Sequence, residues 1–142
     1  MSDGFFFEDL SVGQKASFAK TITEADILLF AGVSGDTNPV HINAEAAAAS
    51  MFKERIAHGM LSASLISTVL GTRLPGPGTI YLAQNLKFRA PVTIGSTVTA
   101  TVEITALDTA RKRATLSTVC TVAGKPVIEG EATVMVPSRA VG

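Results

Sequence analysis

The sequence predicts an α+β fold in which a mainly antiparallel five-stranded sheet curls around one long buried helix. Three observations carry that expectation. In "HGMLSASLISTVLGTRLPGPG", Met60, Leu61, Ala63, Leu65, Ile66, Val69 and Leu70 fall on all sides of a helical wheel, so a helix over 60–72 is read as buried on most faces. After Gly78 the composition turns to Thr, Val and Ile in four segments separated by turn residues: "TIYLAQNLKFRAPV", "STVTATVEITALD", "RKRATLSTVCTVAG" and "KPVIEGEATVMVP". Finally, 142 residues with 46% hydrophobic content suit one core, so residues 1–142 are read as a single domain. A chain of this size can remove roughly 68–70% of its unfolded surface from water.

The elements follow in order. The start, "MSDGFFFEDL", has a three-residue apolar run and acids at Asp3, Glu8 and Asp9, where a secretory leader needs basic residues and a longer apolar core. Gly13 and small polar residues flank a strand read over Val12–Lys20. Thr23 offers an N-cap, and Glu24 and Asp26 are first-turn acids for a helix over about 24–32. Gly32, Gly35 and Pro39 stop it, and "INAEAAAASMFK" reads as a second helix capped by Asn43. In the central helix, Ser62, Ser64, Ser67 and Thr68 are small hydroxyls that can bond back to helix carbonyls while buried, and "LPGPG" ends it. Edge strands of such a sheet are commonly hidden by pairing across a two-fold axis, so a homodimer is expected.

Composition excludes several function classes. Lys+Arg and Asp+Glu both total 12, so no net field draws the chain to nucleic acid or an anionic membrane. The single cysteine, Cys120, has no partner for an intrachain disulfide, which fits a reducing cytosol and a cytoplasmic protein. No run approaches the ~18 apolar residues of a membrane span.

The densest chemistry lies in "GDTNPVH", residues 35–41. Gly35 can take φ > 0, and Pro39 fixes its own φ and drives Asn38 extended, so the loop is rigid enough to aim Asp36 and His41 at one point. An acid and an imidazole sharing one water supply a base and an acid near neutral pH. The same residues also read as turn chemistry, with Asp36 capping a turn, Asn38 forming an Asx-turn and His41 satisfied within the loop. A metal set of Asp36, His41 and His58 is a weaker reading, because no pair has the H-x-x-x-H spacing on one helix face. In "AHGM", the amides at and after Gly59 belong to the first turn of the buried helix, where they can receive developing negative charge. The plainer reading is that Gly59 permits close packing and His58 caps the helix.

Taken together, "FAGVSGDTNPVHIN", "IAHGMLSASLIS" and "YLAQNLKFRAPVTIGSTV", in this order and spacing, resemble the (R)-specific enoyl-CoA hydratases of the MaoC-like dehydratase family, from about Phe7 to Pro137. The resemblance implies the hot-dog fold and hydration of trans-2-enoyl-CoA to (R)-3-hydroxyacyl-CoA, without metal or redox cofactor. It makes Asp36 and His41 the catalytic pair and the Gly59 amide the oxyanion donor to the thioester carbonyl. It places Ser67, Leu70 and Val134 along the acyl pocket. Leu70, one turn beyond Ser67, is then expected to floor the pocket and favour acyl chains of about four to six carbons. Coenzyme A carries phosphates, for which Lys87 and Arg89, or Arg111, Lys112 and Arg113, are candidate partners; a solvated sheet face is the plainer role for either group. Rival readings are a non-catalytic acyl-thioester-binding module, which would keep Gly59 and the pocket but tolerate changes at Asp36 and His41, and a dehydratase of acyl-carrier-protein or branched dicarboxylic CoA thioesters.

Overall fold

A computed structural model describes residues 4–139; residues 1–3, Asp3 among them, and 140–142 lie outside the described residues. Five strands, β1 (Lys15–Thr21), β2 (Ile80–Phe88), β3 (Thr97–Asp108), β4 (Arg113–Val122) and β5 (Lys125–Met135), form one antiparallel sheet in the order β1-β3-β4-β5-β2. Four α-helices lie between β1 and β2: α1 (Glu24–Ser34), α2 (Pro39–Ile42), α3 (Ala44–Ala48) and α4 (Gly59–Thr72). The sheet packs on α4, the hot-dog arrangement that the resemblance implied.

Alternation fixes which face of each strand is inside. Val98, Ala100, Val102 and Ile104 of β3 and Ala114, Leu116, Thr118 and Cys120 of β4 are all fully buried, with their odd or even neighbours turned outward. They meet Ala63, Leu65, Ile66, Val69 and Leu70 of α4 in one core. Each large side chain in it contributes about 1.5–3 kcal/mol of burial. Cys120 lies there as a free thiol, its Sγ 3.6 Å from the Ser62 carbonyl, and burial pushes its pKa up to about 11. Gly130 of β5 is needed because a Cβ there would collide with the Asn85 carbonyl oxygen of β2.

Three boundaries differ from expectation. β1 begins at Lys15 rather than Val12, since Gly13 takes φ 95° in the preceding turn. α1 runs through Gly32 and ends at Gly35, which adopts the left-handed conformation at φ 79°. The second helix is much shorter than "INAEAAAASMFK". Asn43 does cap it, accepting from the Glu45 and Ala46 amides at 3.0 Å each, but Ala47 is its single buried residue, too little apolar contact to hold a longer run. α4 is buried on most faces, as expected, and Met60, Ser64, Ser67 and Gly71, spaced at helical turns, form its exposed stripe, with Met60, Ser64 and Ser67 beside β2. Of its hydroxyls, Ser64 bonds back to Leu61 O at 2.6 Å and Thr68 to Ser64 O at 3.4 Å, while Ser62 is buried without a partner for its Oγ.

β2 is the edge strand beside that stripe, and Ile80, Tyr81, Leu82 and Phe88 on it are exposed. Among the described residues no helix is long and apolar enough to cross a membrane.

Candidate active site

The site begins with the cap of α1. Thr23 Oγ1 accepts from the Asp26 amide at 3.2 Å and Asp26 Oδ2 accepts from the Thr23 amide at 2.9 Å, a reciprocal capping box. Lys20 Nζ also reaches Asp26 at 2.7 Å, and these bonds hold the Asp26 carboxyl below its usual range, the lysine contributing most. A firmly started helix delivers its far end, Ser34-Gly35, to a fixed place.

From there the loop is built from local hydrogen bonds. Ser34 Oγ donates to Phe30 O at 2.7 Å and accepts from the Asp36 amide at 3.1 Å. Asp36 Oδ1 accepts from the Asn38 amide at 3.2 Å, and Asn38 Oδ1 accepts from the Val40 amide at 3.2 Å. Asn38 thus caps the single turn α2, Pro39 occupies its first position, and His41 sits in its last turn. Turn chemistry and candidate catalysis therefore coexist in the same residues.

His41 is buried, and its Nδ1 donates to Ile56 O at 2.8 Å. A carbonyl oxygen can only accept, so in the neutral ring Nε2 carries the lone pair and is free to take a proton. Arg55 braces the same turn, donating from Nε to His41 O at 2.8 Å and from Nη1 to Glu24 Oε1 at 2.6 Å. Ala57 N donates to Val92 O at 2.7 Å, tying the segment before α4 to the sheet side of the site.

These contacts line a cavity of about 560 Å³ bounded by Asp36, His41, His58, Gly59, Phe88 and Arg89, with Phe52, Ile56, Val92 and Ile128 as apolar wall. One ligand atom each of Asp36, His41 and His58 lies within 4.8 Å of the others. The two imidazoles are stacked, centroids 3.9 Å apart and planes 28° from parallel. Such planes meet far beyond the ~2.1 Å of a zinc–histidine bond, so both rings cannot direct lone pairs to one ion. The donor geometry suits a bound water better than a metal.

Gly59 is the first residue of α4 and lines the cavity with Met60; the His58 side chain makes no cap bond there, and the His58 carbonyl accepts from the Leu61 amide at 3.0 Å. A Cβ at position 59 would lie 2.7 Å from Phe88 Cε1, so glycine lets the ring and the backbone approach together.

The remaining expected residues are dispersed. Ser67 lines a second cavity of about 430 Å³ with Phe30, Ala63, Ser64, Tyr81, Gln84 and Leu86; Met60 borders both cavities. Leu70 and Val134 are buried in the core and line neither. Val134 pairs with Tyr81 on one side and Ala114 on the other. Among the cations, Arg89 lies at the first cavity and contacts Glu129 at 3.0 Å. Lys87 is exposed on β2, while Lys112 lies 3.7 Å from Glu8 and over the Phe7 ring, away from both cavities. Arg111 and Arg113 also lie outside both linings. Arg55 and Phe88 were missed from sequence: neither stands in a recognisable spacing, and "FKERIAHG" looks like a solvated charged turn.

Comparison with known proteins agrees with this picture. The model of the MaoC like domain matches residues 9–130. An (R)-specific enoyl-CoA hydratase of Rhodospirillum rubrum is 66% identical over 134 residues, 94% of this chain and 93% of the relative. A 3-hydroxybutyryl-CoA dehydratase of Methylorubrum extorquens is 48% identical over 94% of this chain and 85% of its own length. Among solved structures, an R-hydratase of Pseudomonas aeruginosa in the unliganded form superposes with a TM-score of 0.91 at 47% identity, covering 96% of this chain and 88% of that one. An (R)-hydratase of A. caviae involved in PHA biosynthesis gives 0.89 at 46% identity, covering 92% and 99%.

Proposed function

Because the chain belongs to the MaoC-like domain family, we infer that it is an (R)-specific enoyl-CoA hydratase, a hydro-lyase interconverting trans-2-enoyl-CoA and (R)-3-hydroxyacyl-CoA. The observation that carries this reading is the meeting of Asp36 and His41 in an apolar-walled cavity at the start of α4.

Hydration of an α,β-unsaturated thioester needs oxygen at Cβ, a proton at Cα and a place for enolate charge on the carbonyl oxygen. A water between the Asp36 carboxylate and His41 Nε2 is oriented by two acceptors. His41 takes its proton as the oxygen attacks Cβ, and the imidazolium so formed returns that proton to Cα on the same face. The Gly59 amide, at the positive end of α4, receives the enolate oxygen. One such donor is worth about 2.7–4 kcal/mol in the transition state. No step calls for a metal or redox cofactor.

The acyl chain runs along α4 past Met60 toward Ser67, with Leu70 and Val134 as the packed wall beneath. The positions of Met60 and Ser67 on the second cavity support this path. Arg89 meets a phosphate of coenzyme A at the mouth of the first. The chain works as one domain and as a homodimer in the cytoplasm. The unpaired β2 edge, with Tyr81, Leu82 and Met60 exposed beside it, supports a second copy there, and the free buried Cys120 supports a reducing compartment.

The test is loss of the conjugated enoyl-thioester absorbance with crotonyl-CoA and longer homologues, followed by chiral analysis of the product. Turnover giving the (R)-alcohol is expected, at an unchanged rate after chelator treatment. No turnover on any chain length would leave the acyl-thioester-binding module as the better reading, and a chelator-sensitive rate restored by zinc would revive the metal set.

A further inference from the structure

We propose that His58 is a positioning residue for the Asp36–His41 pair, acting through a fixed tautomer and a ring stack. The proposal rests on the hydratase reading and deepens it. His58 is 2% exposed and is the N-cap residue of α4, yet its side chain makes no cap bond to the helix it precedes. Its Nε2 stands 2.9 Å from the backbone carbonyl of Asp36. Since that carbonyl can only accept, Nε2 carries the hydrogen, and Nδ1 of the neutral ring is a buried lone pair with no partner. His41 is held the other way, with Nδ1 donating to Ile56 O and Nε2 open. The stacked rings therefore hold opposite tautomers.

This arrangement does two things for the reacting groups. Asp36 is gripped at both backbone ends, its amide by Ser34 Oγ and its carbonyl by His58, which fixes where an otherwise exposed carboxylate points. The His58 ring, stacked on His41 at 3.9 Å and itself in tilted contact with Phe30 at 4.9 Å, blocks rotation of the His41 imidazole on the stacked face. The Nε2 donor is satisfied, but a buried Nδ1 without a partner carries a desolvation cost, so an imidazole at this position calls for a use. With capping and shared metal ligation set aside by geometry, holding the pair is the use that remains.

Kinetics and imidazole 15N NMR on the intact protein test this. His58→Gln keeps an N–H donor within reach of the Asp36 carbonyl, whereas His58→Leu fills similar space without one. Expected for the Leu variant is a loss on the order of 10–10²-fold in kcat on crotonyl-CoA, with KM within about two-fold, because the reacting groups are misplaced while binding surface is kept. The Gln variant is expected to recover most of that loss. Wild-type spectra are expected to show His58 protonated at Nε2 and His41 at Nδ1. An active wild type with an unaffected Leu variant, equal losses in the Leu and Gln variants with KM rising in step, or His58 protonated at Nδ1 would each overturn the proposal. Should the Leu variant fail to fold, the Gln variant and the wild-type tautomers still decide it. A wild type inactive on every enoyl-CoA would overturn the hydratase reading itself.

Discussion

The loop between α1 and α3 and the helix α4 are built by opposite means. In the loop, residues 34–41, side chains bond to backbone within two to four positions, and His41 and Asp36 reach one cavity because the chain between them has few other conformations. Along α4, position is set by distant elements: Ser67, on the exposed face, shares a cavity with Phe30 and Tyr81, and Leu70, on the buried face, packs in a core made by other strands. Locally determined geometry is stiff toward remote change and sensitive to single polar substitutions; packing-determined geometry behaves the other way.

The largest effects that could break this contrast lie in the loop. Asp36→Asn and His41→Gln nearly keep shape while removing acid–base function, so each is expected to fold normally and lose at least ~10² in kcat on crotonyl-CoA. Steady-state kinetics beside a thermal melt checks this; a wild-type rate in either variant removes that residue from the reaction.

On the buried side of α4, Leu70→Ala is expected to cost about 2–5 kcal/mol in denaturant unfolding, since it empties space in a close-packed core. It is also expected to raise kcat/KM for eight-carbon and longer enoyl-CoA relative to crotonyl-CoA, each accommodated methylene being worth about 0.8 kcal/mol. A folded variant with an unchanged chain-length profile would confine Leu70 to the core and send the acyl tail elsewhere.

Smaller still is the cap that aims the loop. Thr23→Ala removes the acceptor for the Asp26 amide and is expected to cost about 1 kcal/mol. The partner acid gives a pH signature. Because Lys20, and then the Thr23 amide, hold the Asp26 pKa below its unfolded value of 3.8, its contribution is present above that pH and is lost as pH falls through the lower folded value. Asp26→Asn is therefore expected to flatten acid unfolding in that window; an unchanged acid limb would show that the box contributes nothing. In the core, Cys120 is expected to resist alkylation at pH 8 until the protein unfolds, as its thiol is buried and its pKa raised to about 11. Rapid native labelling would mean the sheet opens over α4.

The same contrast explains what the sequence made legible. Strand alternation and the apolar α4 announce the sheet and its central helix, and Gly35, Asn38 and Pro39 announce the loop, because all are local patterns. The exposed stripe of Met60, Ser64, Ser67 and Gly71 was hidden, since a wheel of small residues does not tell a core face from an unpaired one. Arg55 bracing His41, and His58 bonded to a carbonyl 22 residues earlier, depend on how three segments meet, which no spacing encodes.

Whether Asp36 and His41 act as one unit on one water is decided by the double variant Asp36→Asn/His41→Gln. Groups that share a single proton-transfer step lose it when either is gone, so kcat for crotonyl-CoA hydration in the double variant is expected within about ten-fold of the worse single variant. A loss equal to the product of the two single losses would show that the residues act independently, and would contradict the shared water.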